Sequence, residues 1–492
     1  MSYNTTHILP FQFSRFDSDD YLLVNESGDH IFLKKSDFQR FIENKLTSND
    51  SCYHDLKSKH FLNTEHLPET LELISAKYRS RKRFISNFTA LHMMVITLRC
   101  CNDCTYCQVT AEGENAKDFD MSKKVARRVV DYIFESPSPT IKIEFQGGEP
   151  TLNMETLQDA VLYAEKINEV RKKNLDFVIC TNLVNVTDQQ LQFFKEHNIH
   201  ISTSLDGPRD IHDKNRVLRN GGGTYDLFIK NLHKTTDILG RDQVSALMTT
   251  TVENVDHIEA VVEEYIRQGF TGIFIRPLNP YGLAAKNEAS LGYTMEHFVE
   301  KYETALDFII QLNLKGHRFI EFFSNLLLTR ILTPFSTGFV DLQSPSGAGI
   351  SGAIYDHNGN VFPSDEARML DRMGDRRFYL GNVNNDTYAS IFGGDTLREI
   401  TSNSCVEVIP YCSSCVYRAF CGADPVRNYC ETGDFIGRRP DNGFCKKNKL
   451  VFDLLLKKIK RNDPDEMDVF WSWITGRSLA EVRGEGRIID TV

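Results

Sequence analysis

From Met93 to about Arg276, short apolar runs alternate with longer stretches whose apolar residues recur every three or four positions. The short runs predict strands at Met93 to Leu98, Ile141 to Phe145, Phe177 to Cys180, Ile199 to Leu205, Val244 to Met248 and Gly272 to Ile275. Between them, Ser122 heads a helix with Val125, Val129, Tyr132 and Ile133 on one face, and Leu157, Val161, Ala164 and Ile167 mark the next. A third follows Thr187 with Leu191 and Phe194 inward, and a later one runs from Asn254 to a stop at Gly269. Repeated strand–helix units predict an α/β fold with a parallel sheet, here a partial (β/α)6 barrel. In such sheets chemistry gathers at the carboxyl ends of the strands.

The flanks follow other patterns. Tyr21 to Val24 and His30 to Leu33, joined by Asn-Glu-Ser-Gly-Asp, predict a hairpin, after which Ser36 is placed to cap a helix with Phe38, Phe41 and Ile42 on one face. Lys77, Arg79, Arg81, Lys82 and Arg83 predict a solvated helix face. From Leu450 an amphipathic helix with Val451, Leu454, Leu455 and Ile459 is expected to pack on the body, with Trp471 and Trp473 as packing residues. The expected organisation is a small α+β region over 1–88, the barrel over 89–315, a cysteine-rich region over 316–449 and a helical tail over 450–492.

Composition adds little to the fold and more to the setting. The 41% hydrophobic and 25% charged content is that of a globular chain, and a net charge of -10 argues against nucleic acid as the main partner. No window approaches the roughly 18 apolar residues of a membrane span. The opening MSYNTTHILPFQF has no basic stretch leading into an apolar one, so a cytoplasmic protein with reduced thiols is expected.

Cysteine changes the picture. Ten of the twelve fall into two groups, and the first is Cys100, Cys101, Cys104 and Cys107, directly after the first predicted strand. The spacing of Cys100, Cys104 and Cys107 places three thiolates on one loop, which suits three irons of a [4Fe–4S] cube with the fourth left open. Cys101, Cys104 and Cys107 also read as a ferredoxin-type C-x2-C-x2-C, and structural zinc is a third reading. Gly147-Gly148-Glu149-Pro150 follows the second predicted strand, Thr181-Asn182 the third, and Ser204-Leu205-Asp206-Gly207-Pro208 the fourth. All four elements lie on one rim, and glycine there permits backbone to approach a cofactor closely.

The C-x3-C-x2-C loop with Tyr106 before its last cysteine, together with Gly147 to Pro150, resembles the signature of the radical S-adenosylmethionine (SAM) superfamily. The resemblance implies a [4Fe–4S] cluster on Cys100, Cys104 and Cys107, with SAM chelated to the open iron. It further implies that Tyr106, Gly147, Gly148, Glu149, Pro150, Asn182, Ser204, Asp206 and Arg216 hold the cofactor or its surroundings, Arg216 by pairing with its carboxylate. Cys180 is expected to be a small buried strand residue.

Cys412-x2-Cys415-x5-Cys421 is similar to the core of the auxiliary-cluster domain called SPASM. Ser346, Ser364 and Pro425 stand where that domain usually places cysteines for one of its two clusters. The resemblance therefore implies one auxiliary [4Fe–4S] cluster on Cys412, Cys415, Cys421 and Cys445, with Cys430 the competitor for the last place, Cys405 a spare, and a four-cysteine zinc site the alternative. Over most of its length, notably Leu56 to Leu62, Ser245 to Thr250, Asp341 to Gly349 and Ser364 to Leu370, the chain resembles the radical maturase of His-Xaa-Ser peptide systems. That implies modification of a ribosomally made precursor peptide by crosslinking or side-chain oxidation. The expected associates are a partner maturase and a reducing flavodoxin or ferredoxin, and the N-terminal region resembles a winged-helix peptide-recognition element. An anaerobic sulfatase-type maturase that oxidises Ser or Cys is the rival enzyme, and a noncatalytic iron–sulfur carrier or scaffold the rival of another class. No residue is assigned as catalytic acid or base.

Overall fold

A computed structural model describes residues 7–63, 67–279 and 281–484. Residues 1–6, the start of the stretch read for an export signal, and 485–492, the end of the tail, lie outside the described residues. The chain divides into two compact units: a barrel unit of 87–323 with 348–400, and a cysteine-rich unit of 1–86, 324–347 and 401–492. Thus 348–400 groups with the barrel, and the N-terminal region groups with the distant cysteines, where the sequence suggested four consecutive blocks.

The barrel unit is built on one nine-stranded sheet. Its strands are β1 (Leu91–Thr97), β2 (Thr140–Gly147), β3 (Asn174–Cys180), β4 (His200–Ser204), β5 (Val244–Thr249), β6 (Ile275–Arg276), β7 (Gly352–Tyr355), β8 (Asn360–Phe362) and β9 (Gly381–Asn382). In space the order is β6-β5-β4-β3-β2-β1-β7-β8-β9, parallel from β6 to β7 and antiparallel for the last two. The six predicted strands are the six that run from β1 to β6. The sixth is split: Gly272–Ile273 pairs instead with Ile320–Glu321.

The crossover helices form where the periodicity placed them. Ser122 accepts from the Val125 amide at 3.3 Å to cap Lys123–Glu135, and Thr187 with Gln190 makes a capping box at Asp188–Glu196. Along β2, Ile141, Ile143 and Phe145 are fully buried while Glu144 and Gln146 alternate with them. A period of two thus separates the core-facing side of the sheet from its polar side.

In the cysteine-rich unit, Phe11–Arg15, Asp20–Asn25 and His30–Lys34 form an antiparallel sheet packed through Leu23, Ile31, Leu33, Phe38 and Phe41. The hairpin is as expected. Ser36 is not the cap, however: Lys34 occupies that position and the helix Lys35–Ile42 has no side-chain cap. Ile42 is exposed, because only Phe38 and Phe41 of that helix reach the core. The basic connector is likewise not a uniformly solvated face, since Arg81 is buried and Lys77 and Lys82 pair with Asp29 and Glu407. Val451, Leu454, Leu455 and Trp473 are buried on the helices Gly443–Arg461 and Pro464–Thr475. Among the described residues no helix is long and apolar enough to cross a membrane.

Candidate active site and cysteine centres

The loop after β1 is held from several sides. Thr97 Oγ1 donates to Asp120 at 2.6 Å, and Arg99 forms a two-point pair with the same carboxylate at 2.7 and 2.8 Å. Within the loop, the Cys100 amide donates to Glu112 O, the Asp103 amide to Val217 O and the Thr105 amide to Asn215 O. The loop therefore does not depend on its own short-range contacts for its shape.

Gly147 and Gly148 pass directly over this loop. Gly147 has φ +139°, and a Cβ there would sit 2.0 Å from Thr97 O; one on Gly148 would sit 2.2 Å from Arg99 O. No side chain fits at either position. Gly148 and Glu149 amides donate to Thr97 O and Arg99 O at 2.8 and 2.6 Å, so the second motif is stitched to the first.

Beside these elements lies a cleft of about 260 Å³. Cys100, Cys104, Cys107, Tyr106, Gly147, Gly148, Asn182, Ser204 and Arg216 all line it, so the fold brings nine expected residues to one place. Cys101 does not line the cleft and is buried at 3% exposure. Its thiol hydrogen-bonds to Asn102 Oδ1 at 3.4 Å, while Asn182 Nδ2 reaches Cys100 and Cys101 sulfurs at 3.7 and 3.5 Å.

Three expected cofactor residues stand behind the cleft. Glu149 is 1% exposed, and its carboxylate accepts from the Thr151 amide and hydroxyl, the Thr181 hydroxyl and the Asn182 amide at 3.2, 2.7, 2.8 and 2.8 Å. Burial pushes its pKa up despite these donors. It ties the end of β2 to the end of β3 and so positions Asn182. Pro150 is buried at the start of a 3-10 turn. Asp206 is 0% exposed and accepts from Tyr106 Oη at 2.6 Å, Arg216 Nε at 3.0 Å and the Thr249 amide at 3.1 Å. Burial opposes the charge on Arg216, but Asp206 overcomes it and holds the pKa above its usual value. Arg216 also lies over the Tyr106 ring, 5.4 Å from its centroid, and keeps a side exposed to the cleft.

The polar side of the sheet supplies lining residues that single motifs did not reveal, Gln146, Cys180, Ser202, Thr249 and Arg276, and a helix start adds Asp365. Cys180 is not mere filling. Its thiol donates to Glu144 Oε1 at 3.3 Å, and burial pushes both groups up in pKa. The available signal was polar residues at alternate positions near strand ends. Asp365 begins the helix Asp365–Arg372, where Ser364 accepts from the Ala367 amide as N-cap and Arg368 Nε pairs with Asp365 at 2.9 Å.

The donor set fits a [4Fe–4S] cluster with bound SAM. Three thiols border an open cleft beside a side-chain-free cradle, and Gln146 Nε2 and Thr203 Oγ1 are buried there without a partner. Among the described residues no three Cys, His, Asp or Glu side chains gather tightly enough for a single metal ion.

The second centre lies wholly in the cysteine-rich unit. The Cys415 amide donates to Cys412 O, Cys421 follows the turn closed on Tyr417 O, and the Cys445 amide is capped by Asn442 in the first turn of Gly443–Arg461. Burial raises the pKa of all four thiols, and the neighbouring thiols add to this at Cys421. Cys430 lies on the helix Pro425–Thr432, and the Cys405 thiol donates to Thr401 O at 3.5 Å. Of the three replaced positions, Ser364 caps a helix, Pro425 opens one, and the Ser346 amide donates to Ser404 Oγ at 2.9 Å.

A parallel sheet with three thiols and a glycine cradle at its carboxyl edge defines a radical SAM enzyme. Residues 94–265 match the Radical SAM superfamily, which works with a [4Fe–4S] cluster and SAM. Among relatives, the cysteine-type anaerobic sulfatase-maturating enzyme of Clostridium novyi is 26% identical over 372 residues, covering 72% of this chain and 92% of that protein. The structure of anSMEcpe with bound AdoMet superposes with a TM-score of 0.63 at 18% identity, covering 75% of this chain and 98% of that one. Streptococcus suis SuiB bound to precursor peptide SuiA gives 0.54 at 14% identity, covering 89% and 100%. At these identities the two structures attest the shared fold.

Proposed function

We propose that this chain is a maturase that oxidatively modifies a side chain of a ribosomally made peptide, by forming a crosslink or oxidising the side chain itself. The observation that carries the reading is the single cleft in which the three loop thiols, the glycine cradle and a polar barrel lining meet. When bound, the cluster and SAM supply a 5'-deoxyadenosyl radical able to remove a substrate hydrogen.

The residues around it have separable tasks. Cys100, Cys104 and Cys107 would hold the cluster. Gly147 and Gly148 offer backbone to the cofactor, and Arg216, fixed by Asp206 and Tyr106, presents a guanidinium suited to its carboxylate. Ser202, Thr249 and Gln146 are available to orient a substrate side chain deeper in the cleft. Asp365, the acidic residue that lines the cleft, is placed to take up the proton that oxidation of the substrate releases. Cys412, Cys415, Cys421 and Cys445 would hold an auxiliary [4Fe–4S] cluster, an electron-accepting centre. A flavodoxin or ferredoxin is the reductant this chemistry calls for.

Oxidation of a Ser or Cys in a protein substrate is a second reading, favoured by the sulfatase-maturating relative that the chain covers almost fully. Coexpression with a peptide encoded beside the gene, followed by tandem mass spectrometry and hydrazine trapping, separates the two. A crosslink or a modified side chain that hydrazine does not trap supports peptide maturation. A trapped aldehyde at Ser or Cys supports the second reading, and an unmodified peptide contradicts the first.

A further inference from the structure

Lysine and arginine side chains are rarely fully buried unless paired, because a desolvated charge without a counter-charge is costly. Among its described residues the cysteine-rich unit buries three arginines: Arg81, Arg330 and Arg439, at 7, 5 and 4% exposure. Among the described residues none of them is ion-paired to a carboxylate. Arg81 donates to the carbonyls of Ser27, Arg330 and Thr333 at 2.7, 2.8 and 3.0 Å, so its fork is satisfied by backbone. Arg330 donates through Nε to Phe420 O at 2.6 Å, the carbonyl that leads into Cys421. Arg439 donates through Nη1 to Asn428 Oδ1 at 3.1 Å, but its Nε and Nη2 are buried with no partner.

The positions of these charges are not random. Arg439 and Asn442 both donate to Asn428 Oδ1, and Asn442 in turn caps the Cys445 amide; Arg330 holds the carbonyl directly before Cys421. The charges of Arg439 and Arg330 act on Cys412, Cys445 and Cys421 in the same sense. Two buried cations thus stand beside the segments that carry Cys421 and Cys445. The missing counter-charge is what a four-thiolate cluster brings: such a cube is a dianion when oxidised and a trianion after one-electron reduction.

We propose that Arg439 and Arg330 are the fixed counter-charges of the auxiliary cluster, and that they raise its reduction potential by stabilising the more negative, reduced state. Arg439 adds N–H donors free to reach cluster or thiolate sulfur, the second lever by which a protein tunes such a potential. The inference rests on the reading that Cys412, Cys415, Cys421 and Cys445 hold an iron–sulfur cluster. It makes the site an electron acceptor by construction.

The test is a potentiometric titration of anaerobically reconstituted full-length protein, followed by electron paramagnetic resonance (EPR). Arg439→Gln is expected to shift the midpoint of the auxiliary signal downward, Arg439→Lys to shift it less, and neither to move the midpoint of the SAM-binding cluster. An Arg439→Gln protein with full iron and an unchanged auxiliary midpoint overturns the proposal, as does an equal shift of both clusters. If Arg439→Gln fails to retain its second cluster, Arg330→Gln is titrated with the same two criteria. The underlying reading fails separately: wild-type protein with about four irons and one zinc, instead of about eight irons, has no auxiliary cube.

Discussion

The two cysteine centres are built on opposite plans. In the barrel unit three thiols come from one loop and border an open cleft, and the nearby cation, Arg216, is neutralised by the fully buried Asp206. In the cysteine-rich unit Cys412, Cys415 and Cys421 share one stretch and Cys445 comes from the first turn of a helix, and among the described residues the buried arginines Arg330 and Arg439 have no carboxylate partner. A cleft with a paired cation leaves room for cofactor and substrate to bind and react. Four thiols with buried arginines that lack a carboxylate partner suit a group that stays in place and changes only its own charge. Sulfur ligands alone do not distinguish these roles; their number and the surrounding charge do.

The largest effect that could break this contrast lies in the loop. Cys104→Ala should reduce 5'-deoxyadenosine formation by reduced, anaerobic protein to background, whereas Cys101→Ala, outside the cleft, should retain it. Chromatographic quantification of 5'-deoxyadenosine decides; loss in Cys101→Ala with retention in Cys100→Ala would mean that the ferredoxin-type register is the functional one. Next in size, Asp206→Ala removes the carboxylate from beneath Arg216 and leaves the guanidinium uncompensated. A destabilisation of about 3–5 kcal/mol is expected by denaturant unfolding, and a loss under about 1 kcal/mol would show that the pair is not the anchor described.

The barrel unit should also show an acid weakness. Burial brings His92 down to about 3 and His212 to about 4, so both stay neutral in the fold. The unfolded chain takes up protons below about pH 6.5. Stability is therefore fully present above that pH and falls as the pH drops from about 6.5 toward 4, by up to ~1.4 kcal/mol per pH unit for each histidine. Unfolding measured at several values between about pH 7 and 5 should show a shallower slope in His92→Phe, and an unchanged slope would contradict the assignment. The smallest effect sharpens the contrast from the other side. Ser364→Ala should cost about 1 kcal/mol through its lost cap while iron content stays at the wild-type level.

Periodicity and spacing make the barrel readable in the amino-acid sequence alone. A period of two followed by a period near four is local information, and β1 to β5 and their crossovers follow it closely. The cysteine loop and the glycine cradle are legible for the same reason, because each motif carries its chemistry within a few residues. The burial of charge is not. Arg81 belongs to a group of five basic residues that reads as a solvated face, and Arg439 sits in Arg-Arg-Pro-Asp, with no apolar period around it. The burial of Arg81 depends on residues hundreds of positions away, Arg330 and Ala419. How Glu149 helps to hold the site is hidden for a related reason. Two of its four donors, from Thr181 and Asn182, reach it only because β2 and β3 are neighbours in register, so its work as a clasp between them is visible only in the fold.

The division of labour between the two centres is tested most directly by EPR of the reduced protein with and without SAM. The account predicts two cluster signals, of which one changes on addition of SAM; that signal should vanish in Cys104→Ala and survive in Cys412→Ala. A single signal in wild-type protein, or two signals that both respond to SAM, would contradict it.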